Sequence, residues 1–487
     1  MRISATIFSL ATVMLLISTC AVEKEITYQI VGGPRESSID DIFSDLTLLT
    51  PGAAVAVVKE GEVIHRAGYG SAHLDHGVAI HPNTIFDIAS ISKQFAAFSA
   101  LLLVDEGKLE LDEDVRLYVP ELPDFGPVIT TRNLIHHTSG IRDWVQSMAV
   151  GGVEYGDVIS FEMILRMLEN QTGLNFSPGT DYAYSNTGYN LLTLVIERVS
   201  NQGFREFAEQ RIFAPLEMHD THFSDNHNEI IPDRAESYVL AGTRGSIARY
   251  PNDAIFERRA NQLTAMGSSS LHTTINDFIK WMRNYQTATI GGSSLVRQMF
   301  QRGLLSNGDT LDYAYGLSIS DYKGSSTFGH SGSWVGFRSN FVHLNDLDLS
   351  IAVFCNFSTC DPQGRAFRIA DLFIEHAPSK ESADLRSENP EESYMKNAQL
   401  EQYIGVFRNY ELDTTFHLAI SEGNLIVEHW RNRPVQLISQ GGDIFSFGTG
   451  WFGSGQGRIT FNRSASGEIR GFSFNDIRVR NLYFEKK

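Results

Sequence analysis

Apolar and polar residues follow two different rhythms along this chain, and the change falls close to residue 400. The stretch "PGAAVAVVKEGEVIHRAGYGSA" predicts two strands joined by a turn at Glu60-Gly61, an antiparallel opening. Over 90–106 the apolar residues Phe95, Phe98, Leu101, Leu102 and Leu103 predict a largely buried helix, stopped by Gly107. Further helices are expected over 161–170, 187–199, 204–212 and 275–285. Strands are expected over 316–320, 325–330, 339–344 and 349–354. Strands at both ends with helices between them predict an α+β fold. Its two ends share one antiparallel sheet flanked by helices, with a mostly helical subdomain beside it.

The stretch "PSKESADLRSENPEESYMKN" is polar, charged and poor in large apolar residues, and reads as a linker over 378–397. It follows a first domain over 37–377. Beyond it come short alternating segments such as "TFHLAISEGNLIVEHW", "IFSFGTG", "RITFNRS" and "RGFSFNDIRVRNLYFEK", separated by Gly, Asn and Ser. That texture predicts a small antiparallel barrel over 398–487.

With 487 residues, more than one core is expected. A hydrophobic fraction of 42% and a charged fraction of 20% are those of a globular protein. A formal net charge of -18 with no basic block argues against nucleic acid or an anionic membrane surface as partner. The start, "MRISATIFSLATVMLLISTCAVEKE", has one basic residue, an apolar run over 7–17 and small residues after it. It predicts a secretory leader over 1–21, cleaved after Ala21, and hence a periplasmic or secreted protein. Lipid attachment at Cys20 in "ISTC" is the other reading and would tie the protein to a membrane. Cys355 and Cys360 are read equally as a small disulfide loop or as two buried thiols. His73, His76 and His81, and the adjacent His136 and His137, lack the spacing of metal ligands, so no metal or other cofactor is expected.

In "FDIASISKQF", Ser90 stands three positions before Lys93. On a helix the two share a face, so the amine can reach the hydroxyl. A serine hydroxyl is a poor nucleophile until a base takes its proton, and a lysine is a base only where burial or a nearby cation discourages its charge. Alone, the pair fits a helix cap with a surface lysine just as well. Three further stretches change the balance. "FSPGTDYAYSNTGYNLL" carries Tyr184-Ser185-Asn186 before a helix, "FGHSGSWVGFRSN" carries His330-Ser331-Gly332 after a strand, and "LIHHTSGIRDW" holds a glycine turn at Ser139 and Gly140.

In this order, and with "FAPLEMHDTHF", these stretches resemble the serine beta-lactamase and penicillin-binding protein superfamily. The likeness is to its class C-like branch of D-aminopeptidases, D-alanyl-D-alanine carboxypeptidases and family VIII esterases, and it covers roughly residues 40–375. The resemblance implies Ser90 as nucleophile, with Lys93 and Tyr184 moving protons and Tyr184 protonating the leaving group. It implies that Asn186 bonds the lysine and a substrate amide. The Ser90 and Ser333 N–H groups would face the developing oxyanion, and Gly332 would let substrate approach the strand. Tyr189, Trp144 and Trp334 stay open between cleft and core. Residues 146–160 and 224–262 are expected to shape the pocket.

One departure stands out. Lactamases of this branch carry K-T-G where this chain has His330-Ser331-Gly332, a form that resembles the D-aminopeptidases, whose barrels are lipocalin-like. An imidazole at its reference pKa of about 6.5 carries only part of a charge at neutral pH. Weak handling of carboxylates is therefore expected, improving as pH falls toward about 6 if His330 meets the carboxylate. The expected activity is that of an exported serine hydrolase working through an acyl-enzyme on peptide or amide bonds, D-aminopeptidase- or carboxypeptidase-like. Its partner would be a small-molecule or short-peptide substrate. Carboxylesterase activity, a non-catalytic ligand sensor, or a lipid- or glycan-binding barrel on an inert scaffold are the alternatives.

Overall fold

At Glu60 and Gly61 the backbone takes positive φ at both positions, 53° and 79°. Such a pair matches the twist of two antiparallel strands, so β1 (Ala53–Lys59) and β2 (Glu62–Tyr69) fold back on each other as expected. The structure is a computed structural model that describes residues 36–241, 255–374, 397–447 and 457–487. The expected leader with Cys20, the expected linker up to residue 396, and 242–254 within the expected pocket segment lie outside the described residues.

Between the hairpin and the returning strands come α1 (Lys93–Asp105), α2 (Asn186–Ser200) and α3 (Ile275–Thr287). The chain then adds β3 (Ser318–Tyr322), β4 (Ser325–Trp334), β5 (Phe337–Leu344) and β6 (Leu349–Cys355), closed by α4 (Pro362–Asp371). Their antiparallel order in the sheet is β3-β4-β5-β6-β1-β2. Pairing of β1 with β6 brings the early and late strands together, as the sequence pattern predicts.

β1 is apolar at all but its last position because both faces are covered. Ala54, Ala56 and Val58 enter the large core shared with α1, α2 and α3. Ala53, Val55 and Val57 enter a smaller core with Ala366, Ile369 and Ala370 of α4. α1 is buried almost all round, which its Ala- and Leu-rich sequence suits, and Gly107 at φ 66° turns the chain away after it. Two expectations shift. β4 continues past His330 to Trp334, and the expected helix over 204–212 widens after Ala208 into a π-turn, Glu209–Phe213. Cys355 and Cys360 are joined as a disulfide.

After residue 400, β7 (Gly405–Asn409), β8 (Thr414–Ser421), β9 (Asn424–Glu428) and β10 (Val435–Ser439) lead into β11 (Ile444–Phe447). With β12 (Gly457–Arg463), β13 (Ile469–Asn475) and β14 (Leu482–Lys486) they close an antiparallel barrel. Alternate side chains point inward, among them Phe407, Phe416, Phe445, Phe461, Phe472 and Phe484. They leave a cavity of about 10 Å³ lined by Phe416, Val427 and Phe474, far below the few hundred Å³ that a lipid or glycan needs. Among the described residues the barrel interior is a packed body.

The turn between β13 and β14 lies against the first domain. Asp143 and Asn175 bond the Arg478 carbonyl at 3.3 and 3.0 Å, and the Arg480 N–H donates to Asn175 Oδ1 at 2.7 Å. Beside it, the buried Arg142 donates to Glu411 at 2.5 Å and to the Arg480 carbonyl at 3.0 Å. Removing one member of a buried pair strands the other charge. Glu411→Ala should therefore cost about 3–5 kcal/mol in urea unfolding of the full chain. A loss below about 1 kcal/mol would show that water screens the pair.

Candidate active site

Ser90 sits at the start of a tight turn, Ala89–Ser92, that runs directly into α1. Ala89 takes φ 49°, a strained value for a residue with a Cβ. Asp87 holds it there, its Oδ1 accepting the Ala89 N–H at 2.7 Å. The first helical bond closes from Ile91 to the Ile88 carbonyl at 3.3 Å, so the Ser90 N–H precedes the ladder and has no helical acceptor. This turn is pressed against β4. A Cβ on Gly332 would fall 2.3 Å from the Ile88 carbonyl oxygen and 3.1 Å from the Ala89 Cβ. Gly332 therefore lets the strand approach the turn that carries Ser90.

Lys93 is fully buried one turn on, and its amine has three neighbours. Nζ lies 2.8 Å from Asn186 Oδ1, 2.7 Å from the Ser268 carbonyl and 3.2 Å from Ser90 Oγ. The first two can only accept. A neutral amine has two N–H groups for them and one lone pair, which then faces the Ser90 hydroxyl. Burial holds the Lys93 pKa well below its usual range, against the pull of Asp143 and with help from Arg478. Asn186 cannot turn over, because its Nδ2 and backbone N–H both donate to Asp143 Oδ1, at 2.8 and 2.7 Å.

Tyr184 lies by the Ser90 side chain, and burial pushes its phenol well above the ordinary value, so it keeps its proton at neutral pH. Its ring lies 4.8 Å from Lys93 Nζ and 4.3 Å from the ring of His137. From the other side comes Arg478 of the barrel turn, with its guanidinium carbon 4.6 Å from the Tyr184 ring centroid. Ser90, Lys93, Tyr184 and Asn186 are thus brought together. Ser333 lies on the stretch of β4 beyond Gly329, where pairing to β3 has ended and pairing to β5 continues.

His330 differs from its expected charge. Its Nε2 is 3.1 Å from the Tyr313 hydroxyl and its Nδ1 is 2.5 Å from the Ser331 carbonyl. A carbonyl accepts only, so Nδ1 carries the proton and Nε2 accepts from Tyr313. Burial pushes its pKa down to about 3. The ring is neutral at pH 6 as at pH 8, and it offers a carboxylate no cation. The expected gain in carboxylate handling near pH 6 is therefore withdrawn.

Trp144 and Tyr189 belong to the core, and Tyr189 donates to the Ile135 carbonyl at 2.9 Å. Trp334 is buried and donates through Nε1 to Asn261 Oδ1 at 2.9 Å. Tyr155, within the segment expected to shape the pocket, packs edge-on to it at 5.5 Å. Sequence reasoning did not find Asp87, Asp143, Asn261, Ser268 or Arg478. Asp87, Asp143 and Arg478 stood in quoted stretches, and nothing in their spacing marked them.

Comparison with known proteins shows the family and the fold. The family model described as Beta-lactamase matches residues 40–372. A D-aminopeptidase of Gluconobacter oxydans is 29% identical over 331 residues, 68% of this chain and 60% of that protein. One from Brucella anthropi is 30% identical over 308 residues, 63% of this chain and 56% of that protein. The chain thus spans little more than half the length of these relatives. Among solved structures, the octameric penicillin-binding protein homologue from Pyrococcus abyssi superposes with a TM-score of 0.61 at 22% identity, over 93% of this chain and 99% of that one. D-amino acid amidase from Ochrobactrum anthropi SV3 gives 0.57 at 22% identity, over 69% of this chain and 98% of that one. At these identities the two structures establish the fold.

Asp87 gives the site a pH dependence. Burial pushes its carboxyl up to about 6, against the bonds from Ala89 and Asn261 and the charge of Arg234. Because this folded value lies above that of an unfolded aspartate, its contribution to stability is greatest at low pH and is lost as pH rises through about 6. The ionised form is nonetheless the one that accepts both N–H groups, from Ala89 at 2.7 Å and from Asn261 Nδ2 at 2.7 Å. Turnover should fall below pH 6 as the protonated carboxyl releases Asn261. Asp87→Asn should lose that limb and run about tenfold slower at pH 8, the worth of one lost hydrogen bond. A kcat profile with the same limb in both proteins would remove Asp87 from this role.

Proposed function

The chain belongs to the beta-lactamase family, and from that premise we propose that it is a serine hydrolase acting through an acyl-enzyme on amide bonds of small D-amino-acid compounds. The observation that carries the reading is the amine of Lys93, which spends its donors on Asn186 and Ser268 and turns toward Ser90. In this reading Lys93 takes the Ser90 proton as Oγ attacks the scissile carbonyl carbon. The oxyanion faces the N–H groups of Ser90 and Ser333. Tyr184 gives its proton to the departing nitrogen and recovers one from the Lys93 ammonium, which leaves an ester at Ser90. Water then attacks that ester, losing its proton along the same path in reverse. The D-amino-acid preference follows the relatives named D-aminopeptidase and D-amino acid amidase.

A fluorophosphonate probe should label the protein once, and Ser90→Ala should abolish both labelling and turnover of D-amino-acid amides while the fold persists. Lys93→Ala should slow turnover roughly 10²–10⁴-fold, the range of a general base, and should add little to Ser90→Ala. Continued labelling of the alanine variant at position 90 would refute the nucleophile. A loss of only a few-fold at position 93 would return the lysine to a structural role.

A further inference from the structure

The strand that faces the nucleophile carries no cation, since His330 is neutral and bonded through both ring nitrogens. A guanidinium enters the same cleft from the barrel. Arg478 stacks on the Tyr184 ring at 4.6 Å, and the Tyr184 hydroxyl in turn meets Ser90. Its one side-chain acceptor among the described residues is Asp143, at 3.5 Å, and the Arg478 side chain remains 36% exposed. A guanidinium has five N–H groups, so a single long contact leaves most of them unspent.

The turn does not need this side chain in order to dock. Its backbone is held by Asp143, Asn175 and Gln146, and by Arg142 through the Arg480 and Asn481 carbonyls. Arg480 ties down the flank through Asp181 at 2.7 Å. The other guanidinium close to Tyr155, that of Arg338, donates to the Val335 and Phe337 carbonyls and is thereby occupied. Arg478 is left with charge, free donors and a path to solvent.

We propose that Arg478, delivered by the barrel, is the carboxylate-binding residue of this cleft, and that the substrates it selects carry a carboxylate on the leaving-group side of the scissile bond. The placement rests on the acyl-enzyme reading, in which Tyr184 protonates the departing nitrogen. An amino acid leaving from that nitrogen holds its carboxylate one carbon further on, toward the guanidinium on the Tyr184 ring. Two parallel N–H···O bonds suit a planar guanidinium and a carboxylate. A free ammonium at the same place would meet like charge, with Asp143 already committed to Asn186 and Arg478. The site is therefore built for a peptide with a free C-terminus. A bare amide leaves this subsite empty.

The test compares N-acetyl-D-alanyl-D-alanine with its C-terminal amide, which differs only in that charge. Binding is measured by titration calorimetry to the full chain carrying Ser90→Ala, with and without Arg478→Gln, and needs no catalysis. The acid should bind at least about tenfold more tightly than the amide, and Arg478→Gln should shrink that ratio roughly 10- to 100-fold, the worth of a hydrogen bond to a charged group. Arg478→Lys should keep part of it, and thermal midpoints should confirm that the barrel stays docked. In the Ser90 protein the ratio of kcat/KM for acid over amide should fall in the same proportion. The ratio removes whatever Arg478 does to Lys93 or Tyr184, which both substrates share. Equal affinities for acid and amide, a ratio unmoved by Arg478→Gln, or no saturable binding of the acid would overturn the proposal. Failure of the acyl-enzyme reading would show separately, as fluorophosphonate labelling that survives Ser90→Ala.

Discussion

A lysine buried beside a serine, where its charge is disfavoured, is the condition on which the rest of this site depends. An ammonium in that position would need acceptors on all three sides, and Ser90 could then only accept from it. Burial makes the charge expensive, but burial alone does not decide the matter, because Asp143 lies close by and its charge favours protonation. The carboxylate is held back by its own bonds. Oδ1 takes two N–H groups from Asn186, and Arg478 stands at Oδ2. Asp143 and Arg478 offset each other, and Asn186 presents Lys93 with a neutral carbonyl oxygen. The polarity of the amine is thus set by groups from three separate stretches of chain, one of them in the barrel.

Much of the scaffold was legible because its signals are local. The turn at Glu60-Gly61 marked the hairpin, short alternating segments marked the barrel strands, and the apolar run after Ser90 marked α1. Ser90 with Lys93, Tyr184 with Asn186, and His330 with Gly332 could be read because each pair lies within one turn or strand. What stayed hidden was contributed across long separations. Ser268 reaches Lys93 from 175 residues away, and Asn261 reaches Asp87 from 174. No pattern in a single sequence announces such meetings.

Two residues found in the sequence have surroundings that the sequence did not announce, for reasons that are physical. A reference pKa describes an imidazole in water, whereas His330 is enclosed and bonded at both nitrogens, so its charge was misread although its place on β4 was not. Gly332 was given to the substrate because glycine allows close approach. The close approach is to Ile88 and Ala89, and it presses the sheet against the turn that carries Ser90. In both cases the residue type was informative and the neighbour was unknown.

The barrel then acquires a mechanical meaning that its fold alone does not suggest. Among the described residues its interior is filled with aromatic rings. Packing of that kind gives stiffness, and stiffness is what a turn needs if it is to hold a charged side chain at a fixed point outside the barrel. The turn from Asn475 to Leu482 spans two paired strands and is bonded to Asn175, Gln146 and Arg142 along its backbone. Where the resembling lactamases keep a cation on the strand beside the nucleophile, this chain has a neutral histidine there and an arginine arriving from another domain. A strand residue is bound by the register of its sheet, and a change there disturbs the neighbouring ladder. A barrel turn has no such constraint, so charge at the cleft can be changed without touching the sheet that positions Ser90. On the proposed reading, one element does the chemistry and another reads the substrate, and this arrangement makes that separation physically possible.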